Sequence, residues 1–379
     1  MRAAYLVDVG RIEVRDAPVI PPSPTEVVVR VEATGLCGTD LHIVAGHSNY
    51  HRDAAGRPIP LKEHPQILGH EIAGIVEEVG GGVRDLAPGT RVVVDQGRTC
   101  VSEVRPTLCE YCRTGDSHQC EHYREHGITG LPGGFAEYIT VPAANAVALR
   151  SPIDAECAAL TEPLGCVIHS MDVLRRTAAR YPFDEGTSSQ ARTVLVCGAG
   201  PAGLLFVQYL RAIAAFDGTL LVSEPNARKR QLAEHWGAQT LDPSSGDLVE
   251  QVREHTAGRG AEVIIEASGV GALFHLIPGL ARKQATILLY GHGHAGVDLS
   301  VLNQVQFLEP TLLSPVGASG GHDAHGRPLT YQLALEYIES ARIDVASLIT
   351  HRYRSLGAAP AAFAGDHRHS DYVKGVVLP

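Results

Sequence analysis

Half of the chain's eight cysteines fall in one short segment. They are Cys100, Cys109, Cys112 and Cys120. Zn²⁺ prefers a closed tetrahedron of such soft ligands, and the metal can order a loop that has little core of its own. A closed thiolate site leaves no position for a substrate, so the segment predicts a structural zinc site. The alternative, a loop of free surface thiols, is disfavoured because exposed thiols oxidise.

A second group of potential metal ligands is dispersed along the chain. Cys37 lies in the segment GLCGTDLH, and the pair His70 and Glu71 precedes an apolar run. Glu162 opens a helical pattern. A catalytic zinc needs about three protein ligands and one open position, and these residues supply them only if the fold brings them together. Taken singly, Cys37 also fits a buried small hydrophobe, His70 a core histidine and Glu162 a helix N-terminal carboxylate.

A glycine-rich turn joins the strand-like run TVLVC to the helical run LLFVQYL. In such a turn the first glycine permits the bend and the second lets a pyrophosphate approach the backbone. The third lets helix and strand pack closely. This context predicts a dinucleotide site, whereas a glycine turn of some other α/β fold is the alternative. The residues of the predicted site are Gly198, Gly200, Pro201, Ala202 and Gly203.

An acidic residue, Glu224, ends the next strand-like run. Its carboxylate can accept hydrogen bonds from both ribose hydroxyls and would repel a 2′-phosphate, so we expect NAD in preference to NADP. Arg228 and Lys229 follow at once and could neutralise a phosphate, which weakens the preference. Lys229 and Ser268 complete the predicted cofactor-binding residues.

The elements that must position these residues change in character along the chain. Up to about residue 150 the sequence has short β-branched runs, such as 26–32 and 91–95, separated by glycine and proline turns. From 193 to 290, short apolar strands alternate with amphipathic helices, which is typical of a parallel sheet with right-handed crossovers. We therefore predict an α/β protein in which a doubly wound domain is inserted into a β-rich domain built from both chain ends.

Composition limits the possible functions. At about 150 residues per domain, 379 residues suggest two domains, and 44% hydrophobic with 20% charged residues is ordinary globular usage. A net charge of −10 disfavours nucleic-acid and anionic membrane partners. No apolar run approaches the roughly 18 residues that span a bilayer, and the N-terminus lacks a signal-peptide pattern. Clustered cysteines are more often metal ligands than disulfides in a reducing compartment, so we expect a cytoplasmic protein.

Together these motifs resemble the zinc-dependent medium-chain alcohol dehydrogenase family over nearly the whole chain. The resemblance rests on GLCGTDLH, GHE-x2-G, the four-cysteine segment, GGFAEY, EPLG and the glycine fingerprint, in the family's order. It implies a GroES-like catalytic domain over 1–165, with a structural-zinc lobe at 97–123. It also implies a Rossmann domain over 166–309 and a return to the catalytic domain over 310–379. The glutamate of EPLG, where other members have cysteine, resembles the sorbitol, polyol and threonine dehydrogenase branch.

The resemblance also implies a role for each catalytic residue. Cys37 and His70 bind the catalytic zinc, and the remaining ligand is Glu162, Glu71 or each in turn. Asp40 orients His70 from outside the metal shell. Two zinc ions per chain, NAD and a homodimer or homotetramer are implied as well.

Thr39 and His42 are implied to carry the alcohol proton away. The resemblance places Thr39 next to the nicotinamide ribose and His42 at the solvent end of the chain of proton carriers. The chemistry agrees, because zinc lowers the pKa of a bound hydroxyl and a buried proton must leave through hydrogen-bonding groups. An imidazole with a pKa near 6.5 suits the solvent end. The alternative for His42 is a solvated turn residue without a role.

The sequence departs from the family in three places. Eight residues separate Cys100 from Cys109, where the family usually has two, although a longer loop can still close. The stretch between Cys37 and His70 is also longer than usual, and the segment 317–323 is unlike its counterparts. That longer stretch borders the substrate cleft in relatives, so the substrate specificity of relatives cannot simply be transferred.

These observations predict a zinc-dependent oxidoreductase that transfers a hydride between NAD and a secondary alcohol or ketone. Polar residues near the expected cleft favour a polyol, sugar or cyclitol, because a site that pairs hydroxyls rejects analogues lacking them. These residues are His47, Asn49, Tyr50 and Glu162. One alternative is a threonine-type or amino-alcohol dehydrogenase. Another is a catalytically idle NAD-binding scaffold or sensor that keeps only the structural zinc.

Overall fold

The computed structural model of the protein describes residues 1–183, 189–298 and 300–379. The sequence predicts a polar linker over 181–192, which contains proline, aspartate, glycine and a serine pair, and part of this linker lies outside the described residues. The strands are β1 Arg2–Asp8, β2 Arg11–Asp16, β3 Glu26–Gly35, β4 Gln66–Ile67, β5 Glu71–Val79, β6 Arg91–Val94, β7 Gly97–Arg98, β8 Arg124–Glu125, β9 Tyr138–Pro142, β10 Ala146–Ala148, β11 Thr193–Cys197, β12 Thr219–Ser223, β13 Gln239–Leu241, β14 Ala261–Glu266, β15 Ala281–Leu289, β16 Thr311–Leu313, β17 Ile349–Tyr353 and β18 Lys374–Val377.

The helices are mostly short. They are α1 Gly38–Val44, α2 Glu110–Thr114, α3 Ala155–Ala159, α4 Thr161–Arg176, α5 Pro201–Gln208, α6 Ala227–His235, α7 Leu248–His255, α8 Gly271–Phe274, α9 Ile277–Leu280, α10 Val301–Val305, α11 Leu329–Glu339 and α12 Ala359–Ala364. Among the described residues, none of these helices has the length and apolar character that crossing a membrane requires.

The chain divides into two compact units. The first comprises Met1–Cys166 and Gly317–Pro379, and the second comprises Val167–Val316. The first is rich in β structure: its main sheet has the order β10-β6-β5-β3-β18-β17, with β9 also paired to β3. Alternate residues of β3, namely Val27, Val29 and Val31, lie on one face of the strand and are buried in one apolar cluster of this sheet.

Strand β3 is the element that assembles the candidate metal site. It lies between β5 and β18, so the beginning of the chain pairs with its end. Gly35 at the end of β3 pairs with Glu71 at the start of β5. On its other side Gly35 pairs with Val376 of β18. Residues more than 300 positions apart in sequence therefore meet at one point of the sheet.

The second unit is a parallel sheet with the order β13-β12-β11-β14-β15-β16. Counted within the unit, this is the order 3-2-1-4-5-6 of the doubly wound dinucleotide fold. The α/β fold class predicted from the sequence is thus confirmed. The predicted boundary after residue 309 falls before β16, which pairs with β15 and belongs to the second unit. Three residues are too few to show a strand periodicity in the sequence, which is why this strand was not anticipated.

Candidate active site and metal centres

Cys37 is held at the N-terminus of α1, directly after β3. Its backbone N–H donates to Asp40 Oδ2 at 3.0 Å, so the Asp40 side chain closes the first turn of the helix. Thr39 Oγ1 lies 3.7 Å from Cys37 Sγ. Thr39 and His42 are three residues apart on α1 and therefore share a face of the helix. Both are half-buried, and the His42 ring lies 5.9 Å from the ring of His47.

Asp40 also fixes the strand end that carries His70. Asp40 is fully buried, and its Oδ1 accepts from the Gly69 backbone N–H at 3.2 Å. The same oxygen lies 3.5 Å from His70 Nδ1, which orients the ring electrostatically at more than hydrogen-bond length. Burial disfavours the charged imidazole, but the Asp40 carboxylate and the Cys37 thiolate outweigh it and raise the pKa of His70.

Cys37, His70 and Glu71 form a cluster of potential metal ligands in the first unit. One ligand atom from each lies within 4.8 Å of the others. His70 Nδ1 and Glu71 Oε2 are buried and have no hydrogen-bond partner among the described residues. A thiolate, an imidazole and a carboxylate are the donors of a catalytic zinc site, so the orphaned Glu71 Oε2 and the donor set both fit that ion. His70 Nδ1 faces Asp40, which leaves Nε2 as the nitrogen for a metal.

Gly35 makes room for the Glu71 side chain. A Cβ built on Gly35 would lie 1.9 Å from Glu71 Oε2, so any larger residue would displace the carboxylate. The other oxygen, Glu71 Oε1, lies 2.6 Å from Lys374 Nζ of β18. Lys374 Nζ also donates to the Leu36 carbonyl at 2.9 Å. Burial disfavours the ammonium, but Glu71 and then Cys37 outweigh it and raise the pKa of Lys374.

Glu162 lies at the first turn of α4 outside that ligand cluster. Its Oε1 accepts from Gln96 Nε2 at 3.0 Å and from the Cys166 thiol at 3.1 Å. Burial raises the pKa of Glu162; His70 opposes the shift and Glu71 adds to it. Gln96 is held in turn by the buried Tyr331 hydroxyl, which donates to its Oε1. The described structure thus unites Cys37, His70 and Glu71 directly and leaves Glu162 as a neighbouring carboxyl.

Lys374 and Gln96 are site residues that the sequence did not reveal. Each contacts a candidate metal-binding carboxylate, and both are almost fully buried. A buried lysine is unusual unless it is paired. The only signal available for Lys374 was its place in the run YVKGVVLP, where it is the one charged residue among mostly apolar ones.

The four cysteines of 100–120 also converge. The ligand atoms of Cys100, Cys109, Cys112 and Cys120 all lie within 4.8 Å of one another, and the Sγ atoms of Cys100 and Cys120 are 3.6 Å apart. The additional residues after Cys100 form a turn, in which the Arg105 N–H donates to the Cys100 carbonyl at 3.0 Å. The longer loop therefore closes and returns the chain to the cluster.

The environment of these thiols suits a bound cation. Burial raises the pKa of Cys109, but the backbone N–H groups of Cys112 and Glu121 outweigh it and lower that pKa to about 7. Burial, together with the neighbouring sulfurs, raises the pKa of Cys112 above its usual range. Four close thiols resist joint ionisation unless a metal neutralises them, and Zn²⁺ is the ion that such a set prefers.

The glycine turn of the second unit has the form that a pyrophosphate requires. Gly198 adopts φ +96°, and a Cβ there would press on Ser268. A Cβ on Gly203 would lie 2.0 Å from the Gly198 carbonyl oxygen, so only glycine allows this approach of helix to strand. At Gly200, by contrast, the space is open, and this residue caps α5 at Pro201. The open backbone at a helix N-terminus is a cradle for an anion.

Glu224 is fixed beside that turn. Its Oε2 accepts from the Ala199 N–H at 2.8 Å, and its Oε1 accepts from the Asn226 N–H at 2.9 Å. Each carboxylate oxygen keeps a second lone pair for a ribose hydroxyl. Lys229 lies in the first turn of α6, which Asn226 caps, and Ser268 donates its N–H to Glu266 Oε1 at 2.8 Å.

The structure combines three features: a sheet of the dinucleotide-binding type, a cluster of thiolate, imidazole and carboxylate, and a separate cluster of four thiols. Together they define the class of zinc-dependent oxidoreductases that use a nicotinamide cofactor. The chain belongs to the zinc-binding alcohol dehydrogenase family. Residues 23–151 match the alcohol dehydrogenase GroES-like domain, and residues 201–337 match the zinc-binding dehydrogenase domain. The predicted family, fold class and enzyme class are confirmed.

The chain is similar to several proteins along almost its full length. It is 32% identical to L-threonine 3-dehydrogenase of Pyrococcus abyssi (strain GE5 / Orsay), over 93% of this chain and 90% of that protein. It is 29% identical to sorbitol dehydrogenase of Halalkalibacterium halodurans, over 91% and 89%. A solved structure of a candidate zinc-binding dehydrogenase from Sinorhizobium meliloti 1021, bound to NADP, is 31% identical in sequence. The comparison covers 100% of this chain and 99% of that chain, with a TM-score of 0.79.

Proposed function

We propose that this chain interconverts a secondary alcohol and a ketone, with NAD as the hydride carrier and a catalytic zinc held by Cys37, His70 and Glu71. The observation that carries the proposal is the cluster of these three residues, whose ligand atoms lie within 4.8 Å of one another, with the buried Glu71 Oε2 left without a hydrogen-bond partner among the described residues. Glu162 is the alternative third ligand. When bound, zinc would lower the pKa of the alcohol and the nicotinamide would accept the hydride.

The surrounding residues of the chain then bind, orient and move protons. Asp40 holds both the Cys37 turn and the strand end before His70 through hydrogen bonds to two backbone N–H groups. Thr39, next to Cys37, would relay the alcohol proton: its hydroxyl would accept that proton while donating its own towards the ribose of the bound cofactor. His42, on the same helix face, would then carry the proton to solvent. Lys374 holds Glu71 by one oxygen and leaves the other for the metal.

Binding of NAD is proposed for the second unit. Pyrophosphate is taken by the backbone at Gly198, Gly200 and Gly203 and by the start of α5, which Pro201 and Ala202 open. Glu224 binds the ribose hydroxyls and disfavours a 2′-phosphate, whereas the neighbouring Lys229 works against that preference. Ser268 packs against Gly198 and supports the turn.

For the substrate we propose a polyol, sugar or cyclitol. The long segment between Cys37 and His70 carries polar groups that can pair hydroxyls, among them His47 and Tyr50. The Asn49 amide is instead bound to the backbone of its own loop, at Ile59 and His51. The similarity to a sorbitol dehydrogenase supports this class. The similarity to threonine dehydrogenases supports an amino alcohol as the second candidate. A screen of NAD reduction with polyols, sugars, threonine and simple alcohols separates them, and turnover confined to simple aliphatic alcohols contradicts both.

The zinc mechanism is tested by Cys37→Ser. We expect this variant to lose turnover and to keep its affinity for NAD, measured by titration of the cofactor. Cys157→Ser is the matched control, because Cys157 is half-buried and belongs to neither cysteine cluster. Full activity of Cys37→Ser would overturn the mechanism. Metal analysis separates the enzyme, with about two zinc ions per chain, from an idle scaffold with one.

We further propose a homodimer or homotetramer located in the cytoplasm. The clustering of the cysteines supports a reducing compartment, since none of the eight, all of them within the described residues, takes part in a disulfide. The oligomeric state can be measured by light scattering of the protein as it elutes from a size-exclusion column. A monomer would contradict the proposal. Fractionation of the source cells tests the location.

A further inference from the structure

Three side chains with metal-binding groups meet at the surface of the first unit, outside both clusters described above. One ligand atom each of His351, His369 and Asp371 lies within 4.8 Å of the other two. His351 is half-buried, and the other two residues are exposed. The proposed catalytic mechanism uses none of the three.

The fold presents these groups together. His369 and Asp371 belong to one tight turn, closed by the Tyr372 N–H donating to the His369 carbonyl at 3.1 Å. This turn leads into β18, which runs parallel to β17 and places His351 beside Gly375. Two neighbouring elements of the same sheet region thus supply the three donors.

The His351 ring is already oriented. Its Nδ1 lies 3.0 Å from Thr350 Oγ1, which leaves Nε2 as the nitrogen able to bind a metal. The Tyr372 ring packs against it, with the ring centres 4.9 Å apart. Metal-binding histidines characteristically hold their second nitrogen in such a contact, because it fixes the tautomer and the ring plane.

We propose that His351, His369 and Asp371 form a third metal site, which binds a divalent first-row transition ion such as Zn²⁺. Two imidazoles and one carboxylate match this class, whereas Ca²⁺ and Mg²⁺ require sets of oxygen ligands. Water completes the coordination, since two of the three residues are exposed. The ion exchanges with the medium, unlike an ion enclosed by the four thiolates.

The test is calorimetric titration of the zinc-loaded protein with further Zn²⁺. We expect the native chain to bind one equivalent more than His369→Ala and one more than Asp371→Asn. His325→Ala is the matched control, because its imidazole is also exposed but stands outside the cluster, and it should titrate like the native chain. Because the comparison is a difference between chains, it does not depend on how many ions the other clusters hold.

A spectroscopic measurement gives an independent readout. Cu²⁺ added to the zinc-loaded native chain should show coupling to two nitrogens in its electron paramagnetic resonance spectrum, and His369→Ala should reduce this to one. The proposal is overturned if the native chain takes up no additional equivalent. It is equally overturned if both ligand variants retain that equivalent, or if the control loses it as they do.

Discussion

The buried ion pair between Lys374 and Glu71 allows a quantitative test of how the candidate site is held together. The side chains are only 2% and 1% exposed, and Nζ lies 2.6 Å from Oε1. Removal of one partner leaves the other charge buried and uncompensated, which costs about 3–5 kcal/mol. We therefore expect Lys374→Met to lower the free energy of unfolding by that amount. For a unit of this size the melting temperature falls about 2–4 °C per kcal/mol.

A double-mutant cycle isolates the pair. Glu71→Gln alone should also lower the free energy of unfolding, since the buried ammonium of Lys374 then has lost its partner. The double variant removes both charges. Its decrease in the free energy of unfolding should therefore be smaller than the sum of the two single-variant decreases by more than about 0.5 kcal/mol. Arg57→Met is the control, because Arg57 and Asp53 form an exposed pair and such pairs contribute about 0–1 kcal/mol.

Scanning calorimetry of each variant after chelation of the metal is the suitable assay, because a zinc ion bound to Glu71 would itself compensate the carboxylate when Lys374 is removed. The single tryptophan, Trp236, lies in the second unit, so its fluorescence would not report the unfolding of the first. If Lys374→Met melted like the native chain, or if the two single losses simply added, the assignment of the pair as a mutually compensating buried contact would be refuted.

Three further changes test other parts of the structure. Cys112→Ser should leave one zinc fewer per chain by metal analysis and lower the melting temperature of the first unit; an unchanged zinc content would contradict a four-thiolate site. Glu224→Gln should lower the ratio of kcat/KM for NAD to kcat/KM for NADP about tenfold or more, which is equivalent to about 1.4 kcal/mol. An unchanged ratio would show that Glu224 does not select between the two riboses. Burial lowers the pKa of His126 to about 4. Because the unfolded histidine, with a pKa of about 6.5, binds more protons between those values, stability is lost as the pH falls from about 6.5 to 4. In unfolding titrations at several pH values, His126→Gln should reduce the slope of the free energy of unfolding against pH by about 1.4 kcal/mol per pH unit in this range. A slope identical to that of the native chain would show that His126 is not the titrating group.

Much of the second unit was predictable because its signals are local. The strand-like run TVLVC and the strand-like run that precedes Glu224 are present as the strands Thr193–Cys197 and Thr219–Ser223, since buried parallel strands are continuous apolar runs. The glycine turn has the expected form for the same reason: a bend, a close approach and a helix start each require a residue type at a fixed offset.

The contacts of the first unit were less accessible to sequence reasoning. Lys374 and Glu71 are 303 positions apart, and no periodicity links a charge in one strand to its partner across a sheet. In the sequence, Gly35 is indistinguishable from any other glycine at the end of a strand. Its importance follows from the register of β3 and β5, which places Glu71 opposite it. The roles of the individual site residues stay predictions, to be tested by the variants above.

The central position of β3 in its sheet has a consequence for the order of folding. Its neighbours β5 and β18 bring Glu71 to Lys374, which lies 303 positions further along the chain, and the whole second unit lies between the two residues in sequence. A contact between such distant positions forms only after a large loop has closed, and loop closure costs entropy. The metal pocket is therefore completed late, after the second unit has been synthesised.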